Sequence, residues 1–410
     1  MIHHFSTTPQ SLFEQLEKQF LKPRKDRKPV HYFCGNSLGL QPIKARHYVN
    51  EVLNDWAEMA VDGHFYAQNR WFDYHKLLNP SLARMVGANQ SEVVPMGTLT
   101  GNLHLLMVSF YKPTGKRTKV LMEASAFPSD QYLVESQVRF HGLDPDEHII
   151  EVQPRSGERI LRHEDILKAI KDAGDTLALV LFPGIQYLTG QLFDMPSIIK
   201  AGHQEGAMVG LDLAHATGNI PLHLNHWKAD FAAWCNYKYM NGGPGAIAGI
   251  FVHQDHAQNA DLHRFAGWYG YDEETRFLMQ KGFRPILGAQ GWQLSNENII
   301  SMAALRASLE LFDQVPLDWL EEHRKELNTH LQEVISKFPD LDIITPSARG
   351  AQLSISVNGG KGKPLFQHLQ KANILGDWRE PDVIRLTPAP MYNTHHEIDM
   401  IEGALRSFFS

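Results

Sequence analysis

Leu177-Ala178-Leu179-Val180-Leu181-Phe182-Pro183-Gly184 is a continuous apolar run of strand length, halted by a Pro-Gly pair. Pro196–Glu205 then carries a helical pattern, and Ala207–Leu213 is a second apolar run. Strands with no polar alternation need cover on both faces, and a helix between two of them supplies it. This is the pattern of a mostly parallel α/β sheet. The rhythm extends in both directions. Thr118–Ala124 reads as a strand, His163–Ala173 as a helix with Ile166, Leu167 and Ile170 on one face, and Asp230–Cys235 and Ala246–Val252 as further strands.

From Ser301 the pattern changes. Met302, Leu305, Leu309 and Phe312 mark a helix leading into a smaller α+β unit. Strands are expected near Leu341–Ile344, Gln352–Val357 and Val383–Leu386, with helices at Pro364–Ala372 and Thr394–Phe408. The expected division is a large domain over residues 56–304 and a small domain over 305–410. Residues 1–55 form a segment packing with the small domain.

Composition narrows the function classes. The 410 residues are 43% apolar and 21% charged, with a net charge of −7, which argues against nucleic acid or an anionic membrane as the main partner. The basic stretch Lys22–Lys28 reads as a solvated segment. Two cysteines, Cys34 and Cys235, cannot build a disulfide framework. The start has no charged region followed by an apolar one, so a cytoplasmic protein is expected. Metal-ligand spacings are not found, and His395-His396-Glu397 reads as the exposed start of the last helix.

In parallel sheets ligands gather at the carboxyl ends of the strands, and several polar residues fall there. Lys238 sits in Asn236-Tyr237-Lys238-Tyr239-Met240-Asn241-Gly242-Gly243-Pro244-Gly245, and Asp212 in Leu211-Asp212-Leu213-Ala214-His215. An amine and a buried anion at neighbouring strand ends are what pyridoxal 5'-phosphate needs, for a Schiff base and for its pyridinium. On its own segment Lys238 reads equally as an exposed loop lysine. Asp212 could equally face an arginine or a helix N-terminus. His215 could orient Asp212, meet the cofactor ring oxygen, or be a hydrogen-bonded structural histidine. Gly97-Thr98-Leu99-Thr100-Gly101-Asn102 opens an apolar helix whose free amides suit a phosphate, or a simple threonine cap. Phe127 could stack on a planar ring. Arg385, apolar on both sides, needs a carboxylate, either a substrate's or a structural Asp or Glu.

Several ordered motifs resemble the kynureninase family. They are Gly35-Asn36-Ser37-Leu38-Gly39-Leu40-Gln41-Pro42, Phe127-Pro128-Ser129-Asp130, Tyr187-Leu188-Thr189-Gly190-Gln191, Asp212-Leu213-Ala214-His215, Tyr237-Lys238-Tyr239, Gly267-Trp268-Tyr269-Gly270 and Leu294-Ser295-Asn296. They span about Phe33 to Tyr392. The resemblance implies a fold-type I pyridoxal-phosphate architecture and a homodimer with shared active sites. It also implies hydrolytic Cβ–Cγ cleavage of L-kynurenine or 3-hydroxy-L-kynurenine, in tryptophan catabolism. It assigns the Schiff base to Lys238 and the pyridine nitrogen to Asp212. Leu99, Thr100, Tyr237 and Trp268, with Asn296, would hold the cofactor. Phe127, Pro128, Ser129 and Asp130 would line its ring, with His215 beside it. Arg385 would take the substrate carboxylate, and His64, Ser295 and Asn296 would face its aryl end. Tyr237 is the candidate for proton transfer near the β-carbon.

Pro183 departs from the family pattern, where Ser or Thr is common, and removes one side-chain hydrogen bond to the cofactor. The rival reading within the same fold, a selenocysteine lyase or cysteine desulfurase, needs a cysteine in the C-terminal half. The sequence has none after Cys235. A non-catalytic scaffold would be expected to lose Lys238, Asp212 or Arg385, and all three are present. His64, Ser295 and Asn296 lean the substrate reading toward the 3-hydroxy form.

Overall fold

In the computed structural model, which describes residues 9–410, seven strands form the large sheet. They are β1 (Val93–Pro95), β2 (Lys119–Glu123), β3 (Ile149–Val152), β4 (Leu177–Pro183), β5 (Met208–Asp212), β6 (Phe231–Trp234) and β7 (Gly249–Val252). Their spatial order is β3-β2-β4-β5-β6-β7-β1. All neighbours from β3 to β6 pair in parallel, and β7 runs antiparallel to both β6 and β1.

The uniform apolarity of β4 has the expected cause. Leu179 and Leu181 enter a core with Leu103, Leu106 and Val134, from the helices Leu99–Phe110 and Pro128–Phe140. Val180 and Phe182 face the opposite core, with Ile166, Ile170, Ile198 and Ile199, from His163–Ala173 and Met195–Gln204. Each buried aliphatic side chain contributes about 1.5–3 kcal/mol, so both layers are needed. Gly210 sits mid-strand because a Cβ there would lie 2.1 Å from the Phe231 ring.

The second sheet is antiparallel: β8 (Leu341–Ile343), β9 (Leu353–Val357), β10 (Asp377–Arg379) and β11 (Val383–Leu386), in the order β8-β9-β11-β10. Leu327 and Leu331, Leu365, and Ile398 and Ile401 cover it from the helices Leu317–Ser336, Gly362–Lys371 and His395–Phe409. The N-terminal segment joins this unit. His31–Tyr32 pairs in parallel with Ile374–Leu375, Cys34 bridges Thr387, and Phe33 is buried in the same core.

Some expectations shift. The strands β1, β3 and β10 and the helix Pro128–Phe140 are additions, the strands being only three or four residues long. His395 and His396 are exposed, but Glu397 is buried. Thr394 Oγ1 accepts from the Glu397 amide (3.1 Å) and the Glu397 carboxylate accepts from the Thr394 amide (3.0 Å), a reciprocal cap. Glu397 also accepts from Lys22 at 3.1 Å, so Lys22 is anchored while the residues after it are solvated. Among the described residues no helix is long and apolar enough to cross a membrane.

Candidate active site

Parallel strands deliver their carboxyl ends to one edge, and β2, β4, β5 and β6 do so here. Asp212 ends β5 in register with Pro183 of β4 and Ala233 of β6. Above this edge lies a cavity of about 260 Å³. Leu99, Thr100, Phe127, Ser129, Asp130, Asp212, His215, Tyr237 and Lys238 all line it, together with Thr98, Glu123, Pro183, Ile185, Tyr187 and Ala214.

Lys238 is positioned by a turn that leaves little freedom. The buried Asn236 donates to the Ile247 carbonyl (2.7 Å), accepts from Trp234 Nε1 (3.0 Å) and takes the Gly242 amide on its carbonyl (2.8 Å). The Gly39 amide donates to the Tyr237 carbonyl at 2.8 Å, and a Cβ on Gly39 would meet the Lys238 carbonyl oxygen at 2.4 Å. Glycine is required there for close approach. The Lys238 amine lies 3.0 Å from His215 Nε2. Burial first, then the Lys238 charge, holds His215 well below its ordinary pKa. Its imidazole is therefore neutral, with Nε2 facing the amine and a buried Nδ1 that has no partner.

Three carboxyls share the floor. Asp212 Oδ1 accepts the Ala214 amide at 2.7 Å. Burial raises Asp212, and hydrogen bonds from Asp130 and Ala214 oppose it. Asp130 is raised further, by burial and then by the Asp212 charge, so Asp130 is the one of the pair that keeps its proton, and it donates a hydrogen bond to Asp212. Burial, reinforced by Asp212, lifts Glu123 to about 8. One Asp130 oxygen is buried without a partner.

Pyridoxal phosphate fits these residues. A negative Asp212, backed by a protonated Asp130 with an idle oxygen, suits a pyridinium N–H. The first amides of the helix Leu99–Phe110 have no acceptor within their own helix, and the Thr98 side chain makes no cap bond. Burial raises the Tyr237 phenol, which therefore stays a donor. Phe127, packed edge-on against Tyr187 at 5.2 Å between centroids, supplies an aromatic wall.

Other expected residues lie elsewhere. Pro128 starts the helix Pro128–Phe140 and is not part of the cavity wall. His64 packs on Trp71, with ring centroids 5.2 Å apart. Trp268 donates from Nε1 to the Arg276 carbonyl (3.2 Å) and lines a separate cavity with Tyr271 and Arg276. Ser295 and Asn296 are exposed, and the next residue, Glu297, accepts the Gly97 amide at 3.0 Å. Arg385 is buried and paired with Asp377, so of the two readings of its carboxylate the structural one is present here. Glu123 escaped the sequence reading although it ends an apolar strand as Asp212 does, and that signal could have found it.

The aminotransferase class-V family profile matches residues 62–375. The fold agrees with solved structures of distant sequence. The Escherichia coli cysteine desulfurase CsdA superposes with a TM-score of 0.80 at 15% identity, covering 98% of this chain and 99% of that one. The cystine C–S lyase C-DES gives 0.78 at 16% identity, covering 92% and 97%. Much nearer in sequence are two curated relatives, both named kynureninase. That of Christiangramia forsetii is 52% identical over 91% of this chain and 90% of its own length. That of Stenotrophomonas maltophilia is 50% identical over 95% and 94%. The chain belongs to the kynureninase family of class-V, fold-type I enzymes.

Proposed function

We propose that this chain is a pyridoxal-phosphate enzyme that hydrolyses the Cβ–Cγ bond of L-kynurenine or its 3-hydroxy form, releasing the corresponding anthranilate and L-alanine. The observation that carries the reading is the Lys238 amine, 3.0 Å from a neutral His215, in one cavity with the Asp212–Asp130 pair.

Bound there, the cofactor supplies an electron sink for charge developing beside the amino-acid nitrogen. The chain's own groups do the rest. Lys238 holds the cofactor, then serves as acid and base at Cα. His215, unable to hold a charge at this depth, accepts from the amine and keeps it aimed at the cavity. Asp212 would face the ring nitrogen as the anion, and Asp130 would favour that state by keeping its own proton and donating a hydrogen bond to Asp212. Tyr237, protonated and beside Lys238, is the donor assigned to the β-carbon. Leu99 and Thr100 offer backbone amides to the phosphate, and the Thr100 hydroxyl adds a donor. Phe127, Ser129 and Asp130 would bound the ring, and Pro183, also in the cavity wall, has no hydrogen-bond donor to offer it. Arg385 is assigned the α-carboxylate.

His64, Trp268, Ser295 and Asn296 complete a site only if a second copy brings them to it, so a homodimer is part of the proposal. In support, Phe65, Trp268 and Phe277 are all partly exposed and pack with Phe72 into one aromatic surface. His64 lies beside it, 6.3 Å from Phe65. The unpaired cysteines suit a cytoplasmic setting. Comparing kcat/KM for kynurenine and 3-hydroxykynurenine tests both reaction and preference. Turnover of neither refutes the function, and a preference for kynurenine refutes the lean toward the 3-hydroxy substrate.

A further inference from the structure

Arg385 has no free edge. Its Nη1 donates to the Tyr187 carbonyl at 2.6 Å, and Nη2 pairs with Asp377 Oδ2. With the Asn36 amide turned so that its nitrogen donates to the Thr387 hydroxyl (3.1 Å), its oxygen accepts from Arg385 Nε at 3.3 Å. A substrate carboxylate can reach this guanidinium only by displacing a group of the protein. The Tyr187 carbonyl belongs to the loop that walls the cavity, and Asn36 is buried. The Ser37 hydroxyl also accepts from Nη2, at 3.4 Å, and Asp377 is the one carboxylate among these partners, so it is the like-for-like competitor.

Asp377 also has somewhere to go. Its Oδ2 accepts from Ser37 Oγ at 2.7 Å and from Arg379 Nη2 at 3.2 Å. Arg379 is half-engaged, because its Nε is buried without a partner. Two guanidiniums thus face one carboxylate, and the group lacks one negative charge. A short rotation would give Asp377 a two-pronged pair with Arg379 and release Arg385 Nη2, while Nη1 stays on the Tyr187 carbonyl.

The geometry points to Asp377 as an internal carboxylate latch, which occupies Arg385 in the substrate-free enzyme and passes to Arg379 when an α-carboxylate arrives. This rests on the assignment of Arg385 to the substrate carboxylate. After the exchange Arg385 pairs with the incoming carboxylate and Asp377 with Arg379, so binding supplies the missing negative charge and strands no buried ion. It also selects ligands, since only a group able to replace a carboxylate opens the latch. A latch closed nine-tenths of the time weakens apparent affinity about tenfold.

The test is a calorimetric titration of the pyridoxal-phosphate-loaded enzyme with L-alanine, using L-alaninamide, which has no carboxylate, as control. Asp377→Asn removes the competitor and is expected to tighten L-alanine binding about tenfold while leaving L-alaninamide unchanged. Arg379→Gln removes the alternative partner and is expected to weaken L-alanine. A residue that merely orients Arg385 predicts the reverse for Asp377→Asn. Unchanged or weaker L-alanine binding in that variant, or unchanged binding in Arg379→Gln, overturns the latch. Arg385→Gln separates the two levels. If it binds L-alanine as the parent does, the carboxylate assignment itself fails. If it binds weakly while Asp377→Asn gains nothing, the latch alone fails.

Discussion

Asp212→Asn is the sharpest test of the carboxyl floor. The change is nearly isosteric, and Oδ1 can still accept the Ala214 amide. What disappears is one negative charge at a buried position, the charge proposed to face the ring nitrogen of the cofactor. Removing one partner of a buried ion pair costs about 3–5 kcal/mol, and 1.36 kcal/mol is a decade in rate. A loss of about two to four decades in kcat/KM follows, with weaker cofactor binding. Asp130→Asn makes the contrast. Asp130 is the protonated partner, and an asparagine amide can donate to Asp212 in its place. The expected loss is within about tenfold, the scale of one neutral hydrogen bond. Both variants would be assayed for kynurenine turnover and for cofactor affinity by equilibrium dialysis. Equal losses, or a larger loss in Asp130→Asn, would show that Asp130 is not the carboxyl that keeps the proton.

Three further outcomes are expected. Lys238→Ala loses the visible absorbance of lysine-linked pyridoxal phosphate, and a variant that keeps that band removes the Schiff-base assignment. Glu123, held protonated up to about pH 8 when the cofactor is absent, ionises earlier in the unfolded chain. Apoenzyme stability therefore falls as pH rises from the ordinary carboxyl range toward 8. Glu123→Gln should flatten that slope in Tm against pH, and an unchanged slope contradicts the burial argument. Gly39→Ala forces a Cβ to within 2.4 Å of the Lys238 carbonyl oxygen unless the backbone moves. Cofactor binding should weaken measurably, and parent-like affinity would mean that the lysine turn is not held from that side.

Much of the large sheet was legible because its strands are apolar on both faces. β4 starts where expected and runs one residue longer, and β5 is one residue shorter at each end. β1, β3 and β10 were not, since three or four residues carry too little periodicity. The strand-end rule found Lys238, Asp212 and His215, which depend on one sheet edge. It could not place Arg385, because whether a buried arginine meets a substrate or an aspartate depends on β10, lying beside β11 across the turn. His64, Trp268 and Asn296 came from motif resemblance alone, and no local pattern says which surface they serve. Glu397 was misjudged for a similar reason. Its burial depends on a contact with Lys22, and no window around the last helix contains that residue.

The join of the chain's two ends has a consequence for biosynthesis. Ser37 and Asp377 stand 340 positions apart yet share a hydrogen bond, and Cys34 lies against Thr387. A growing polypeptide can assemble the parallel sheet and its lysine turn while still attached to the ribosome, since domains emerge and fold in order. The Arg385 neighbourhood must wait until the last strands are released, and closing so long a loop is slow. During that interval the partly made enzyme has its amine but not the buried Arg385–Asp377 pair. With Arg385 assigned to the substrate carboxylate as proposed, capacity to bind cofactor should therefore appear earlier in synthesis than capacity to recognise an amino acid.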